Sequence, residues 1–506
     1  MLTIADIRRR AEERNQRISR EVYEHGSGLK AEMGMAHILE AYGDLQTREA
    51  VEYLRGAFEA EVDPVEKRRL QYLLADLRQG FLDNHVAALH DKFATQEATK
   101  SVELAGESIP FRQAAIRMSN EPDRERRIAL QEASCRVIAE LSPLHSDALA
   151  AVRKIITEDL GYPSYTDFYR IQRGIDFADL ATRMQIFLDR TNDLYRRVMD
   201  DWTRAGLGRG IDECARHDIN FLLRAREFDH AFPESGLIPT LEATVADLDL
   251  TLRHIFLDLE KRPTKSPRAF CSPVRVPEEI YLVVSPKGGM DDYSALLHEC
   301  GHSLHFAHAS PDLPYEFRFL GDNSVTETFA FTLEHFHLEP GWLRRHTDLS
   351  EDEIARYRFH GLRQLLFMVR RYSAKLEYEL ELHDNRPLAG KDALYRQHLE
   401  SVLLYRHFSE YWLFDTDEGY YTAQYLRAWT LAAQLRAYLR RRHGPDYFLQ
   451  PAAGRDLVDL WSLGQRLSAD ELATHLGYDG LDVEPLVDEM IGVLGQRPSR
   501  NSSEVN

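Results

Sequence analysis

Apolar residues recur at helical spacing along most of the chain. Leu70, Leu73, Leu74 and Leu77 form one stripe, and Leu180, Met184, Phe187, Leu188, Leu194 and Val198 form a second. Leu362, Leu365, Leu366, Val369 and Leu376 form a third. Steps of three and four put such residues on one helix face, so each stripe predicts an amphipathic helix packed on a core. The rhythm holds from Met1 to about Lys100 and again from Glu107 to about Leu237. It is interrupted at Gly161-Tyr-Pro-Ser-Tyr165, where Pro163 drives the residue before it out of helical geometry. No repeat or low-complexity linker divides this stretch, so residues 1–260 read as one N-terminal helical framework.

The pattern changes between Lys261 and Met290. Pro263, Pro267, Pro273 and Pro277 break helices there, while Val274-Arg-Val276 and Ile280-Tyr-Leu-Val-Val-Ser285 are short and β-branched. A small sheet of two or three strands is expected, with one strand offering its edge to an extended peptide. Gly288-Gly289 ends the apolar run, and Asp291 or Asp292 can cap the helix that follows. The chain breaks again at Ser310-Pro-Asp-Leu-Pro314 and resumes as a helix near Ser324.

Composition narrows the partners. Over 506 residues, 43% hydrophobic and 29% charged is ordinary for a globular protein large enough for a sizeable core. A formal charge of −19 argues against nucleic acid or an anionic membrane surface, because both select clustered positive charge. The four cysteines, Cys135, Cys214, Cys271 and Cys300, have no paired spacing that suggests a disulfide framework. The N-terminal stretch lacks the apolar core of a secretory signal, and no run is long enough to span a membrane. A cytoplasmic, reduced protein is expected.

The candidate chemistry lies in His298-Glu-Cys-Gly-His302. Two histidines four apart on a helix are about one turn from each other, so both imidazoles can reach one metal ion. Glu299 is placed to act as general base on a water at that ion, as in zinc proteases. Cys300 points away from the histidines and is read as packing. A catalytic zinc takes three protein ligands. His308 lies ten residues after His298, but His305 occupies the seventh position, where a glycine would let the chain turn back. A continuing helix leaves His308 about 280° round from His298. Glu327 is preferred: it sits near the start of the next helix among Thr326, Thr328, Phe329, Ala330 and Phe331, company in which a carboxylate needs a partner. Glu334, two turns further on the same face, can hold a ligand histidine by its second nitrogen. His305 is assigned beside it as a further supporting residue. One Zn²⁺ per chain is the implied cofactor.

These residues resemble the thimet oligopeptidase and oligoendopeptidase F group of zinc peptidases. The resemblance rests on His-Glu-Cys-Gly-His-Ser-Leu-His at 298–305, then Glu327 and Glu334, which stand where the group carries Glu-x-x-Ser-Gln-x-x-Glu. Ala330 and Phe331 replace its Ser-Gln. Softer similarity runs through 160–168, 217–221 and 463–479, so the resemblance spans about Glu107 to Leu494. It implies a mainly α, two-lobed spindle-like zincin with a small β-sheet beside the metal helix. Residues 261–494 would then be the metallopeptidase region, continuous with the first 260, and 495–506 a disordered tail. It also implies that phenols of Gly419-Tyr-Tyr-Thr-Ala-Gln-Tyr425 bind substrate. Setting Ala423-Gln-Tyr425 on the group's Ala-Gln-Tyr makes Tyr421 the oxyanion donor, with Tyr420 and Tyr425 as substrate-binding neighbours. Thr416 and Ala428 stand where the group has a histidine and a further tyrosine. Arg427 is read as a contact for a peptide carboxylate or, equally, as one half of a surface salt bridge. The expected activity is endoproteolysis of short peptides in an enclosed channel. The rivals are a carboxypeptidase of the same helical architecture and a non-catalytic peptide-binding protein.

Overall fold

A computed structural model describes residues 2–224 and 226–496. The expected disordered tail falls almost wholly outside the described residues. The longer helices, and the shorter ones that carry the site, are α1 (Ile4–Gly26), α2 (Pro64–Thr99), α3 (Arg124–Lys154), α4 (Tyr165–Arg173), α5 (Phe177–Leu207), α6 (Met290–His308), α7 (Asn323–Glu334), α8 (Glu351–Leu382) and α9 (Tyr421–His443). Their starts follow local chemistry. Asp63 accepts the Val65 and Glu66 N–H groups ahead of α2, with Pro64 in its first turn. Ser350 and Glu353 form a reciprocal capping box on α8.

The apolar stripes meet their expected fate. Leu70, Leu73, Leu74 and Leu77 are buried on α2, as are Leu362, Leu366, Val369 and Leu376 on α8. A two-stranded hairpin, β1 (Ser101–Leu104) and β2 (Glu107–Pro110), separates the first helical run from the second. Three more strands, β3 (Ile255–Asp258), β4 (Phe270–Arg275) and β5 (Glu279–Val283), form a sheet in the order β3-β5-β4. β3 runs parallel to β5, with Ile255 opposite Ile280, and β4 runs antiparallel, with Phe270 opposite Val283. The architecture is mainly α with one small sheet beside α6, as the sequence leads one to expect.

The sheet and the N-terminal helices together position the motif helix. β5 runs into Gly288 and Gly289, whose φ values of 81° and 96° lie in the left-handed region that glycine tolerates, and α6 starts there. Asp292 does not cap α6 forwards; its carboxylate accepts the Lys287 and Gly288 N–H groups behind it, at 2.6 and 2.8 Å. α1 packs against β4, where the Ser272 hydroxyl donates to the Ser19 carbonyl. Arg8 of α1 and Arg69 of α2 both reach the buried carboxylate of Glu316, which ties the first hundred residues to the segment between α6 and α7.

The closest helix contact in the site is between α6 and α7. A Cβ built on Gly301 would lie 2.6 Å from Ala330 Cα and 2.7 Å from the Phe329 carbonyl oxygen. Only glycine fits at this crossing, and the crossing brings Glu327 opposite the two histidines.

Candidate active site

α6 presents His298 and His302 one turn apart, and α7 presents Glu327 to both. Glu327 Oε2 lies 3.5 Å from His298 Nε2 and 3.6 Å from His302 Nε2. The three ligand atoms fall within 4.8 Å of one another. Each of these side chains is held from behind. His298 Nδ1 is 2.8 Å from Glu334 Oε2, and Ser294 donates to the other oxygen of Glu334 at 3.0 Å. His302 Nδ1 is 2.8 Å from Thr326 Oγ1. The Tyr421 hydroxyl donates to Glu327 Oε1 at 2.9 Å, which leaves Oε2 turned toward the imidazoles.

The group fits a divalent cation on its own chemistry. Glu327 Oε2 is buried with no hydrogen-bond partner, an expensive state for a carboxylate oxygen unless a cation faces it. Burial opposes charge on His298, yet the carboxylates of Glu327 and Glu334 on either side raise its pKa well above the imidazole value. Burial drives His302 down to about 4, so it stays a neutral donor. Two carboxylates thus converge on the imidazole pair, Glu327 on both rings and Glu334 on His298. Nitrogen and oxygen donors in a two-histidine, one-glutamate set are those of three-ligand zinc sites.

Glu299 occupies the position after His298 on α6. Its Oε2 accepts the Cys271 N–H at 2.9 Å, from the edge of β4 that has no strand partner. Burial pushes this carboxyl up to about 7, against the pull of His298 and of the Cys271 amide. Its proton affinity therefore sits near neutrality, where a carboxylate exchanges protons most usefully.

No protein-family model and no curated protein sequence matches the chain. Solved structures do. One, described as an oligoendopeptidase F from Bacillus anthracis strain Ames, aligns over 96% of this chain and 88% of its own, with a TM-score of 0.68 and 16% identity. A second, PZ peptidase A with an inhibitor, aligns over 96% and 90%, with a TM-score of 0.72 and 15% identity. The chain has the oligoendopeptidase fold.

Within the oligoendopeptidase fold, the structure sorts the remaining candidates. Tyr421 and Tyr425 stay beside the cluster, their rings 5.0 Å apart. Tyr420 does not. Its backbone takes φ 55° at the turn into α9, and this swings the ring inward, where it is buried and its hydroxyl meets Thr166 Oγ1 at 2.7 Å. Arg427 is corrected as well. It is 5% exposed, and its guanidinium bridges Asp322 at 2.9 Å and Asp470 at 2.7 Å, so no face is left for a peptide carboxylate. His305 points away from the histidine pair and bonds the Gly464 carbonyl at 3.2 Å, a packing position rather than a support for the ligands. Cys300 is fully buried, as expected. His308 bonds back to the Leu304 carbonyl of its own helix at 2.9 Å and stands outside the cluster.

Two contributors escaped the sequence. Thr326 holds His302, and the only sequence signal was that it precedes the candidate ligand. The Cys271 amide holds Glu299, and a backbone group in a strand 28 residues upstream gives no signal at all.

Proposed function

We propose that the protein is a zinc-dependent endopeptidase acting on short peptides in an enclosed channel. One observation carries the reading: His298, His302 and Glu327 converge from two helices while Glu299, which is no part of that set, lies close enough for the charges of His298, Glu327 and Glu334 to act on its carboxyl. A structural metal site has no use for a free carboxylate beside it.

His298 Nε2, His302 Nε2 and Glu327 Oε2 would hold the ion, with Glu334 and Thr326 fixing the two rings by their Nδ1 atoms. When bound, the zinc would polarise a peptide carbonyl and acidify water. Glu299 takes a proton from the attacking water on its carboxylate and delivers it to the amine nitrogen of the departing fragment. The Cys271 N–H fixes the carboxylate while it does so. Tyr421, whose hydroxyl rests on Glu327 Oε1 at 2.9 Å, would turn that one donor to the carbonyl oxygen as the oxygen gains charge; burial raises its hydroxyl pKa far above the phenol value, so it keeps its proton at any working pH. The strand edge that carries Cys271 can align an extended peptide beside Glu299. Peptides are the proposed partners. Among the described residues, no helix is long and apolar enough to cross a membrane.

A quenched peptide blocked at both termini tests the reading. The protein with one equivalent of zinc is expected to cleave it internally, and a chelator is expected to stop cleavage until zinc is restored. Cleavage that is indifferent to chelation, or release only of C-terminal residues from unblocked peptides, would overturn it.

A further inference from the structure

One turn beyond the cluster, α7 and α9 border a cavity of about 540 Å³ to which no role has yet been given. Asn323 lies four residues before Glu327 on α7, and Gln424 lies three residues after Tyr421 on α9, so both share the helix faces that carry the site. A helical turn is about 5.4 Å and an extended peptide advances about 3.3 Å per residue, so a chain leaving the cluster would enter the cavity within about two residues.

The lining is unusual in being rich in amides: Asn15, Gln71, Gln79, Gln172, Asn323 and Gln424. A primary amide carries both donor and acceptor, which matches the N–H and C=O of a peptide backbone whatever its side chains. Two of these amides are short of partners. Gln424 is 2% exposed and its Oε1 has no hydrogen-bond partner, and Gln172 Oε1 is buried in the same state. Unsatisfied buried carbonyl oxygens in a cavity wall call for a donor from whatever fills it.

The charges of the wall are paired with one exception. Arg68 pairs with Glu471, Asp76 with Arg14 and Asp322 with Arg427. Arg173, the last residue of α4, has no carboxylate partner among the described residues. Its Nε donates to the Gly419 carbonyl at 3.2 Å and its guanidinium lies over the Tyr169 ring at 5.8 Å, which fixes the planar group beside the turn into α9, and no carboxylate among the described residues takes its terminal nitrogens.

We infer that this cavity is a remote binding site for the peptide substrate, in which Gln424 and Gln172 hold the backbone and Arg173 pairs with a peptide carboxylate. The inference rests on the peptidase reading for its ligand. The carboxylate has two sources, the C-terminus or an acidic side chain, and Arg173 recognises the chemistry they share.

The test is equilibrium binding to the full-length, zinc-loaded Glu299→Gln protein, read by fluorescence anisotropy. Three N-terminally labelled octapeptides of one sequence serve as probes: the free acid, the C-terminal amide, and the amide with glutamate at the penultimate position. The free acid is expected to bind about tenfold more tightly than the plain amide, and Arg173→Met is expected to erase the difference. If the glutamate-bearing amide matches the free acid, the guanidinium takes either source; if it follows the plain amide, the guanidinium takes the terminus. Equal binding of acid and amide, or a preference that survives Arg173→Met, overturns the assignment. Should Arg173→Met fail to fold, Gln424→Met replaces it. That change is expected to weaken all three peptides severalfold with their order intact, and unchanged affinities would overturn the site. The readout needs no turnover, so loss of the peptidase reading and loss of this one are separate results.

Discussion

At the residue scale, each ligand has a partner that fixes its direction, and the two kinds of residue predict different failures. Glu299→Gln keeps the shape of the side chain but removes its basicity, so turnover of a quenched peptide should fall at least a hundredfold, a loss of roughly the size seen for general bases, while zinc remains bound. Unchanged turnover would dismiss Glu299. Thr326→Val does the reverse: it leaves Glu299 alone and removes the group facing His302 Nδ1. Zinc affinity, measured by competition with a chromogenic chelator, should weaken by about ten- to a hundredfold, and saturating zinc should restore most of the activity. The same contrast explains what could be read in advance. His298 and His302 were legible because a four-residue spacing on α6 puts them on one face, and Glu334 because it lies two turns along the same face of α7 as Glu327. Glu327 was legible because a carboxylate among apolar neighbours needs a partner. Arg427 and Tyr420 were misread because their fate depends on Asp470 and Thr166, far away in sequence, and on one backbone turn at φ 55°.

At the element scale, the site depends on how closely two helices approach. Gly301 sits in the motif, where it reads at first as a position without chemistry, yet the missing Cβ lets α7 approach α6 to within contact of backbone. Gly301→Ala must push Ala330 and Phe329 outward, and overpacking of this kind costs about 1–3 kcal/mol. A urea melt should show that loss, and zinc affinity should fall with it, because Glu327 rides on the displaced helix. Full zinc affinity in a destabilised Gly301→Ala protein would mean that α7 can yield elsewhere. The Ala330 that replaces the expected serine belongs to the same crossing. The sheet was only partly legible for a related reason. Pro273, Pro277 and the β-branched run at 280–285 announce β4 and β5. β3 is four residues long, and it counts as a strand only because β5 lies alongside it in parallel. The hairpin at 101–110 is likewise two four-residue strands between long helices, too short to disturb the helical rhythm on either side.

At the scale of the whole molecule, the segment that delivers Tyr421 is anchored by charge buried in the helical body. Glu379 of α8 is fully buried; its Oε1 accepts the Asp417 N–H at 2.8 Å and lies 3.2 Å from the Thr422 hydroxyl, while its Oε2 has no partner. Lys375 Nζ reaches Asp417 at 2.9 Å rather than Glu379. Burial dominates and pushes the Glu379 carboxyl up to about 8, against the opposing charge of Lys375 and with the lesser charge of Asp417 in the same direction. A carboxyl whose folded pKa lies above its unfolded value contributes fully below the unfolded value, near 4.5, and loses that contribution as pH rises through 8. Between those limits the slope approaches roughly 1.4 kcal/mol per pH unit for a single group. The parent should thus melt at a lower temperature at pH 9 than at pH 6, and Glu379→Gln, which keeps the neutral shape, should show a flatter profile over the same range. Other groups titrate in both proteins, so the difference between the two profiles isolates Glu379. Because its partners Asp417 and Thr422 flank residues 418–421, ionisation should loosen that segment first. Amide exchange near Tyr421 should then quicken with pH in the parent beyond its chemical rate and much less in the variant. Parallel melting profiles would show that the carboxyl is already ionised in the fold and that the segment is held by Lys375 and Asp417 alone.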